Sequence, residues 1–125
     1  MRKTGVAAAL AAAIGLGAAA QQPPPPAQNC LHGPSESADQ GSRRRGALQL
    51  ARQVNTVEAQ ANQQGHTFYA LSDLPGLASE INGFKVQLST DGGTYTFSIK
   101  DTLDPCRFAY FSDQEGVIYS GMPVR

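Results

Sequence analysis

Residues 84–99, FKVQLSTDGGTYTFSI, decide the fold. Apolar and polar residues alternate over 84–88 and again over 95–99, on either side of Asp91-Gly92. Alternation with a period of two is typical of a strand with one buried face, and Asp-Gly favours the tight turn of a hairpin. This stretch therefore predicts two antiparallel β-strands joined by a short turn.

Two further strands are predicted towards the C-terminus. Residues 108–111 and 117–119 are rich in aromatic and aliphatic side chains, and residues 112–116 between them (SDQEG) have the composition of a turn. Short connections between successive strands favour an antiparallel meander. The C-terminal third therefore predicts a four-stranded sheet with one apolar face.

An amphipathic helix is predicted upstream, from Arg43 to Gln64, with Ser42 as its N-cap and Gly65 as its stop. Its apolar residues recur every three or four positions and form one stripe: Ala47, Leu50, Val54, Val57 and Ala61. Residues 66–82 are expected to form a packed loop with one helical turn near 77–81. The predicted fold class is α+β, with one long N-terminal helix packed on a four-stranded antiparallel β-meander.

The aromatic residues are concentrated in the predicted sheet. Most are expected to be core residues or cross-strand pairs. If alternate aromatic side chains are exposed instead, the sheet offers a binding face. The residues concerned are Tyr95, Phe97, Phe108, Tyr110, Phe111 and Tyr119.

The N-terminal third has a different composition. Residues 1–20 have the features of a secretory signal peptide, because two basic residues precede an uncharged apolar run that ends in Ala18-Ala19-Ala20. An uncleaved membrane anchor is the alternative. Residues 21–42 are rich in Pro, Gln and Ser and predict a disordered tether. Residues 43–125 are then the folded domain, exported to the periplasm or beyond, with no transmembrane segment after cleavage.

Composition limits the classes of function. A chain of 125 residues allows one small domain, and ten basic against ten acidic side chains argue against a nucleic-acid binder. No catalytic or cofactor-binding motif is present, so we expect a protein that is not an enzyme and has no cofactor. The alternative is a small secreted hydrolase that uses His66. The position of His66 just after the helix end is more typical of a cation that interacts with the helix dipole.

The two cysteines, Cys30 and Cys106, are the only pair in the chain. In an oxidising compartment we expect them to form a disulfide that joins the tether to the folded domain. Two free thiols and an intermolecular bridge are the alternatives, since spacing along the chain does not give the distance between them.

Two groups of charged residues are candidates for binding. Asp91, Asp113 and Glu115 lie in turns at the same end of the predicted meander, and such oxygen ligands suit calcium. The other interpretation is ordinary solvated turn residues, and we assign no metal. Arg43-Arg44-Arg45 at the helix start is a candidate contact for an acidic partner or lipid headgroups, or simply a solvated helix end.

Three stretches resemble the globular heads of bacterial type IV pilin-like proteins and pseudopilins. Residues 54–59 resemble their helix, residues 70–74 the loop from helix to sheet, and residues 108–119 the closing hairpin. The resemblance covers about residues 43–121. The N-terminal helix of prepilins is expected to be lacking, because no acidic residue follows Gly5 at the expected position and the Pro run at residues 23–26 prevents a continuous helix into the head.

The resemblance implies an exported, non-enzymatic interaction module that binds a protein or an envelope component. Pilus or secretion machinery is the implied setting. A purely structural envelope protein is the alternative. The sequence does not name the partner or the oligomeric state.

Overall fold

The fold is α+β, with one long helix on one face of a five-stranded antiparallel sheet. A computed structural model describes residue 33 and residues 36–104 and 107–122. The elements are α1 (Ala38–Gln63), a 3-10 turn (Leu71–Asp73), β1 (Glu80–Ile81), β2 (Phe84–Thr90), β3 (Tyr95–Asp101), β4 (Ala109–Asp113) and β5 (Tyr119–Gly121). Among these residues, no helix has the length and apolar character needed to span a membrane.

The predicted hairpin forms the centre of the sheet. β2 and β3 pair over seven residues, from Phe84 opposite Asp101 to Thr90 opposite Tyr95. One carboxylate oxygen of Asp91 accepts hydrogen bonds from the backbone N–H groups of Gly93 and Thr94, at 2.9 and 2.8 Å. The turn is therefore stabilised from within, and the prediction from Asp91-Gly92 is confirmed.

The sheet has five strands in the order β1-β2-β3-β4-β5, so the predicted number of four was wrong. The additional strand, β1, pairs with β2 through Glu80 opposite Lys85 and Ile81 opposite Phe84. It also replaces the helical turn expected near residues 77–81. A two-residue strand is too short to show alternation, so the sequence pattern did not reveal it. The α+β class and the antiparallel meander are confirmed.

The helix begins five residues earlier than predicted, with Ser37 as the N-cap in place of Ser42. Ser37 Oγ accepts a hydrogen bond from the Gln40 backbone N–H, and Gln40 Oε1 accepts one from the Ser37 N–H. This capping box satisfies two donors that the first turn leaves open. The end of the helix agrees with expectation, because Gly65 has φ +79°.

The core lies between the apolar stripe of α1 and one face of the sheet. Two of the helix residues in this core are small, and both Ala47 and Ala51 are fully buried. Opposite them lie large side chains of the sheet, which fill the space that the alanines leave. The buried sheet residues are Phe84, Val86, Tyr95, Phe97, Ile99 and Tyr110.

Candidate interaction surface

The face of the sheet turned away from α1 changes in character from one edge to the other. Strand register places Lys85, Lys100 and Ala109 in one row. The next row contains Gln87, Ser98, Phe111 and Tyr119. The outer face is therefore cationic and polar on β2 and β3, and aromatic on β4 and β5.

Exposed apolar side chains are concentrated in the hairpin formed by β4 and β5. Of the five large hydrophobic residues exposed in the described part of the chain, four lie between residues 111 and 122. We call these four, which are between 42% and 59% exposed, the hairpin patch: Phe111, Val117, Tyr119 and Met122. Since four of the exposed large hydrophobic residues fall in this one hairpin, and Phe111 and Tyr119 lie opposite each other in it, the patch is the best candidate for a binding surface.

A cavity on the outer face adjoins the patch. It has a volume of about 540 Å³ and is open to solvent. Phe111 and Tyr119 line it on one side, and Gln87, Thr96 and Ser98 on the other. An apolar group is therefore able to rest on the two aromatic side chains while hydrogen-bonding groups lie beside it.

The hairpin is fixed from the helix side by Asn55. Its Nδ2 donates to Ser112 Oγ at 2.9 Å and to the Gly116 carbonyl at 3.2 Å. Its Oδ1 accepts a hydrogen bond from Tyr95 Oη at 2.8 Å, and Ser112 Oγ also donates to the Val117 carbonyl at 2.8 Å. Asn55 therefore joins α1, β3 and the turn of the hairpin, so the patch is presented on a supported element.

The edge of the sheet at β5 carries no charged side chain. β5 pairs with β4 and with no other described strand, and Tyr119, Ser120 and Gly121 are all neutral. The opposite edge, β1, carries Glu80. Natural sheets often protect their edge strands with charged residues. The β5 edge lacks this protection, and it lies beside the hairpin patch.

The acidic candidates lie at the end of the sheet where they were expected. Thr96 pairs with Asp113, which puts the β4–β5 turn beside the Asp91 turn. Asp91 and Asp113 each accept backbone hydrogen bonds within their own turns, and those from Thr94 and Gly93 lower the pKa of Asp91. Within the described ranges, no group of three His, Cys, Asp or Glu residues is placed to hold a metal. Calcium binding by Asp91, Asp113 and Glu115 stays a prediction.

The three arginines at the helix start have different surroundings. Arg43 Nη2 donates to the buried Asp101 at 2.7 Å, and its Nε donates to the Asn82 carbonyl at 2.8 Å. Arg44 donates to both carboxylate oxygens of Glu36, at 2.8 and 3.0 Å. Arg45 is exposed. The contacts of Arg43 and Arg44 are thus intramolecular, and partner binding by the cluster stays a prediction.

Glu58 is a buried acid that the sequence analysis missed. It is fully buried on α1, and its Oε2 accepts a hydrogen bond from the Tyr69 backbone N–H at 2.9 Å. Its Oε1 is buried and has no hydrogen-bond partner. Burial raises the pKa of Glu58, and burial together with the charge of Glu58 raises the pKa of Tyr95 to about 12. The sequence did contain a signal for its burial, because Glu58 lies between Val54 and Ala61 on the apolar stripe of α1.

His66 follows the helix end and is exposed. Its backbone N–H donates to the Ala61 carbonyl at 3.0 Å, and its ring lies 6.1 Å from that of Tyr69. In the part of the chain that the structure describes, no side-chain hydrogen bond links His66 to a serine or an acid. Cys30 and Cys106 lie outside the described residues, as do residues 1–32 of the predicted signal peptide and tether.

A family model described as GvpH matches residues 3–116 of the chain. The chain belongs to the GvpH family. The name denotes gas vesicle protein H. No curated protein and no solved structure matches the chain.

Membership of the GvpH family corrects the pilin interpretation. The resemblance to type IV pilin-like and pseudopilin heads was misleading, and the implied pilus or secretion machinery is not supported. A helix followed by short antiparallel strands is a general way to bury one face of each element. The three short stretches were therefore not specific to pilins.

The predictions of a signal peptide, of export and of an exported interaction module were also wrong. Gas vesicle proteins are components of cytoplasmic gas vesicles, and the family model begins at residue 3, within the segment taken for the export signal. Two basic residues before an Ala-rich apolar run have the composition of a signal peptide, but composition alone does not establish cleavage. The predicted envelope partners and the alternative of a structural envelope protein both depended on export. They are therefore not supported either.

Proposed function

We propose that the protein acts in gas vesicle assembly as a non-enzymatic binding module. The hairpin patch is the surface that contacts another gas vesicle protein. Membership of the GvpH family supports the cellular setting. The observation that carries the binding role is the concentration of exposed apolar side chains on one supported hairpin.

The chemistry of the patch suits a protein partner. Phe111 and Tyr119 are opposite each other in the β4–β5 register and form its centre. Polar side chains of β2 and β3 lie beside them, including Gln87 and Ser98. Aromatic residues with a polar surround are typical of the energetically dominant part of a protein interface. Anchoring by Asn55 lowers the ordering cost of binding, because the hairpin is already fixed.

The hydrogen bonds of the polar side chains behind the hairpin support a non-enzymatic role. Asn55, Tyr95 and Ser112 bond to one another between helix and sheet. With its pKa raised to about 12, Tyr95 stays protonated at neutral pH and acts as a hydrogen-bond donor. His66, the residue of the hydrolase alternative, lies outside this network at the exposed helix end. These groups serve the fold, which favours a binding module over a hydrolase.

The test compares two matched variants of the tagged full chain, made together with the other gas vesicle proteins of a producing cell. Tyr119→Ser removes an exposed aromatic residue from the patch, and Leu103→Ser removes an exposed apolar residue outside it. Recovery of each gas vesicle protein with the tagged chain is measured by mass spectrometry. We expect Tyr119→Ser to lower recovery of one of them about tenfold, and Leu103→Ser to change it by less than about twofold.

Equal recovery with Tyr119→Ser and the unchanged chain would overturn the patch as the binding surface. Recovery of no gas vesicle protein with the unchanged chain would overturn the proposed function itself. Thermal unfolding of the two variants checks the folded state. Both substitutions are at exposed sites, so their midpoints are expected to stay close to that of the unchanged chain.

A further inference from the structure

The outer face of the sheet carries opposite charges at its two ends. At one end, which we call the acidic end, Asp91 and Glu115 lie in the turns after β2 and β4, and Asp113 is the last residue of β4. At the other end, which we call the basic end, Lys85 and Lys100 lie on β2 and β3. Asp113 is four residues along β4 from the position opposite Lys100, and four residues of a strand span about 13 Å.

The two lysines of the basic end lie directly opposite each other. Both are exposed, and within the described residues neither forms a salt bridge with an acid. Glu80 of β1 is opposite Lys85, whereas the neighbour of Lys100 on β4 is the neutral Ala109. Like charges opposite each other on a sheet are destabilising. Lys100 in particular therefore favours contact with an acidic group of another molecule.

The aromatic centre of the hairpin patch lies midway between the two ends. Along β4, Phe111 is two residues from Ala109, which is opposite Lys100, and two residues from Asp113. Two residues of a strand span about 7 Å. Phe111 and Tyr119 also line the cavity of about 540 Å³ on this face. The outer face therefore has the order basic, aromatic, acidic along the direction of its strands.

This order is complementary to itself under a twofold rotation. An axis over Phe111, parallel to the sheet and perpendicular to its strands, lays β4 of one copy across β4 of a second copy in the opposite direction. Asp113 of each copy then lies over Ala109 of the other, one strand spacing of about 4.8 Å from Lys100. A twofold axis parallel to the strands instead brings the two basic ends together, which like charges disfavour.

We propose that two copies of this chain associate through the outer faces of their sheets. Phe111 and Tyr119 of each copy occupy the cavity of the other, and Lys100 of each copy pairs with Asp113 of the other. Sheets that pack face to face interdigitate their side chains in a layer about 10 Å thick. Because the same surface is used twice about one twofold axis, the assembly closes at two copies.

The size of the face makes this association reversible. Five strands, of which the longest have seven residues, give a face about 20 Å wide and about 23 Å long. Interfaces of such small area are weak and transient. The dimer covers the hairpin patch, so a gas vesicle protein has to separate the two copies in order to bind there. This regulation of the patch rests on the proposed function, whereas the dimer itself does not.

The test measures self-association of the purified full chain by sedimentation equilibrium over a range of concentrations. The variants Lys100→Asp and Asp113→Lys each put like charges together at both of the proposed contacts. We expect either variant alone to raise the dissociation constant of the dimer at least tenfold. A mixture of the two variants restores opposite charges at both contacts of the mixed dimer. Its dissociation constant should return to within about threefold of that of the unchanged chain.

Two further variants separate the outer face from other surfaces. Phe111→Ser keeps every charge and should also weaken the dimer at least tenfold, because it removes the aromatic centre. Arg52→Asp is the matched charge reversal, since Arg52 is exposed on α1, which packs on the opposite face of the sheet, and it should change the dissociation constant less than about twofold. Circular dichroism verifies the folded state of each variant.

Three results would overturn the proposal. They are an unchanged chain that stays monomeric at every concentration, a dimer that is equally stable after Phe111→Ser, and a mixture of the two charge variants that associates no better than either alone. Because no other gas vesicle protein is present, the outcome is independent of the test of the proposed function.

Discussion

Arg43→Met tests whether the helix is held to the sheet by the contact with Asp101. Arg43 Nη2 lies 2.7 Å from Asp101 Oδ1, and its guanidinium carbon lies 5.2 Å from the centre of the Phe84 ring. The Asp101 side chain is fully buried, whereas that of Arg43 is 20% exposed. Methionine keeps much of the apolar stem but removes the charge that faces Asp101.

The magnitude follows from what remains around the carboxylate. Breaking a buried ion pair by removing one partner costs about 3–5 kcal/mol. Here Asp101 Oδ1 still accepts the backbone N–H groups of Leu103 and Asp104, at 2.9 and 3.2 Å. We therefore expect the free energy of unfolding to fall by about 3 kcal/mol, at the lower end of that range.

The assay is urea unfolding of the full chain at neutral pH, followed by circular dichroism. Arg45→Met is the matched control, since Arg45 is an exposed arginine on the same turn of α1, and its loss should cost less than about 0.5 kcal/mol. A double-mutant cycle with Asp101→Asn should give a coupling energy of at least about 1 kcal/mol. Equal losses for Arg43→Met and Arg45→Met, or a coupling near zero, would refute the reasoning.

Three further predictions concern other parts of the molecule. Because burial raises the pKa of Glu58 in the folded state, its contribution to stability is largest below its ordinary pKa of 4.5 and is lost as pH rises through the folded value. Glu58→Gln should therefore unfold at higher urea than the unchanged chain at pH 8 but not at pH 4, and parallel pH profiles would contradict this. Gly83→Ala should lower the free energy of unfolding by about 1–3 kcal/mol, because φ is +80° and the new Cβ would lie 2.6 Å from Leu103 Cδ1. Gly46→Ala is the control, because its new Cβ would meet no neighbouring atom. Cys30 and Cys106, the only two cysteines of the chain, are predicted to form a disulfide when oxidised glutathione accepts their two electrons and two protons, and two alkylatable thiols after this treatment would refute it.

The centre of the sheet was predictable because its signals are local. The turn at Asp91-Gly92 and the alternation on either side of it specify the β2–β3 hairpin without help from the rest of the chain. The start of α1 was not predictable in this way, because Gly41 and Ser42 are poor helix formers. Ser37 caps the helix upstream of them, and Arg43 anchors the first turns to Asn82 and Asp101. Those two contacts are 39 and 58 residues apart in sequence.

The candidate site was predictable only in outline. The sequence places most aromatic residues in the predicted sheet, and it leaves open whether some of them form an exposed face. Which of them are exposed depends on register, since Tyr110 is directed to the core and Phe111, one residue later, to the outer face. A shift of one residue would exchange the two. Register and the short edge strand β5 come from tertiary pairing, so local pattern did not define the hairpin patch.

The role of the hairpin patch as the site that contacts another gas vesicle protein is tested most directly by crosslinking in cells that produce gas vesicles. The photo-crosslinking variant Tyr119→p-benzoylphenylalanine is compared with the same substitution at Gln53, and the adducts are identified by mass spectrometry. We expect an adduct with another gas vesicle protein from position 119 and none from position 53. Adducts of the same kind from both positions, or no gas vesicle protein joined to position 119, would contradict it.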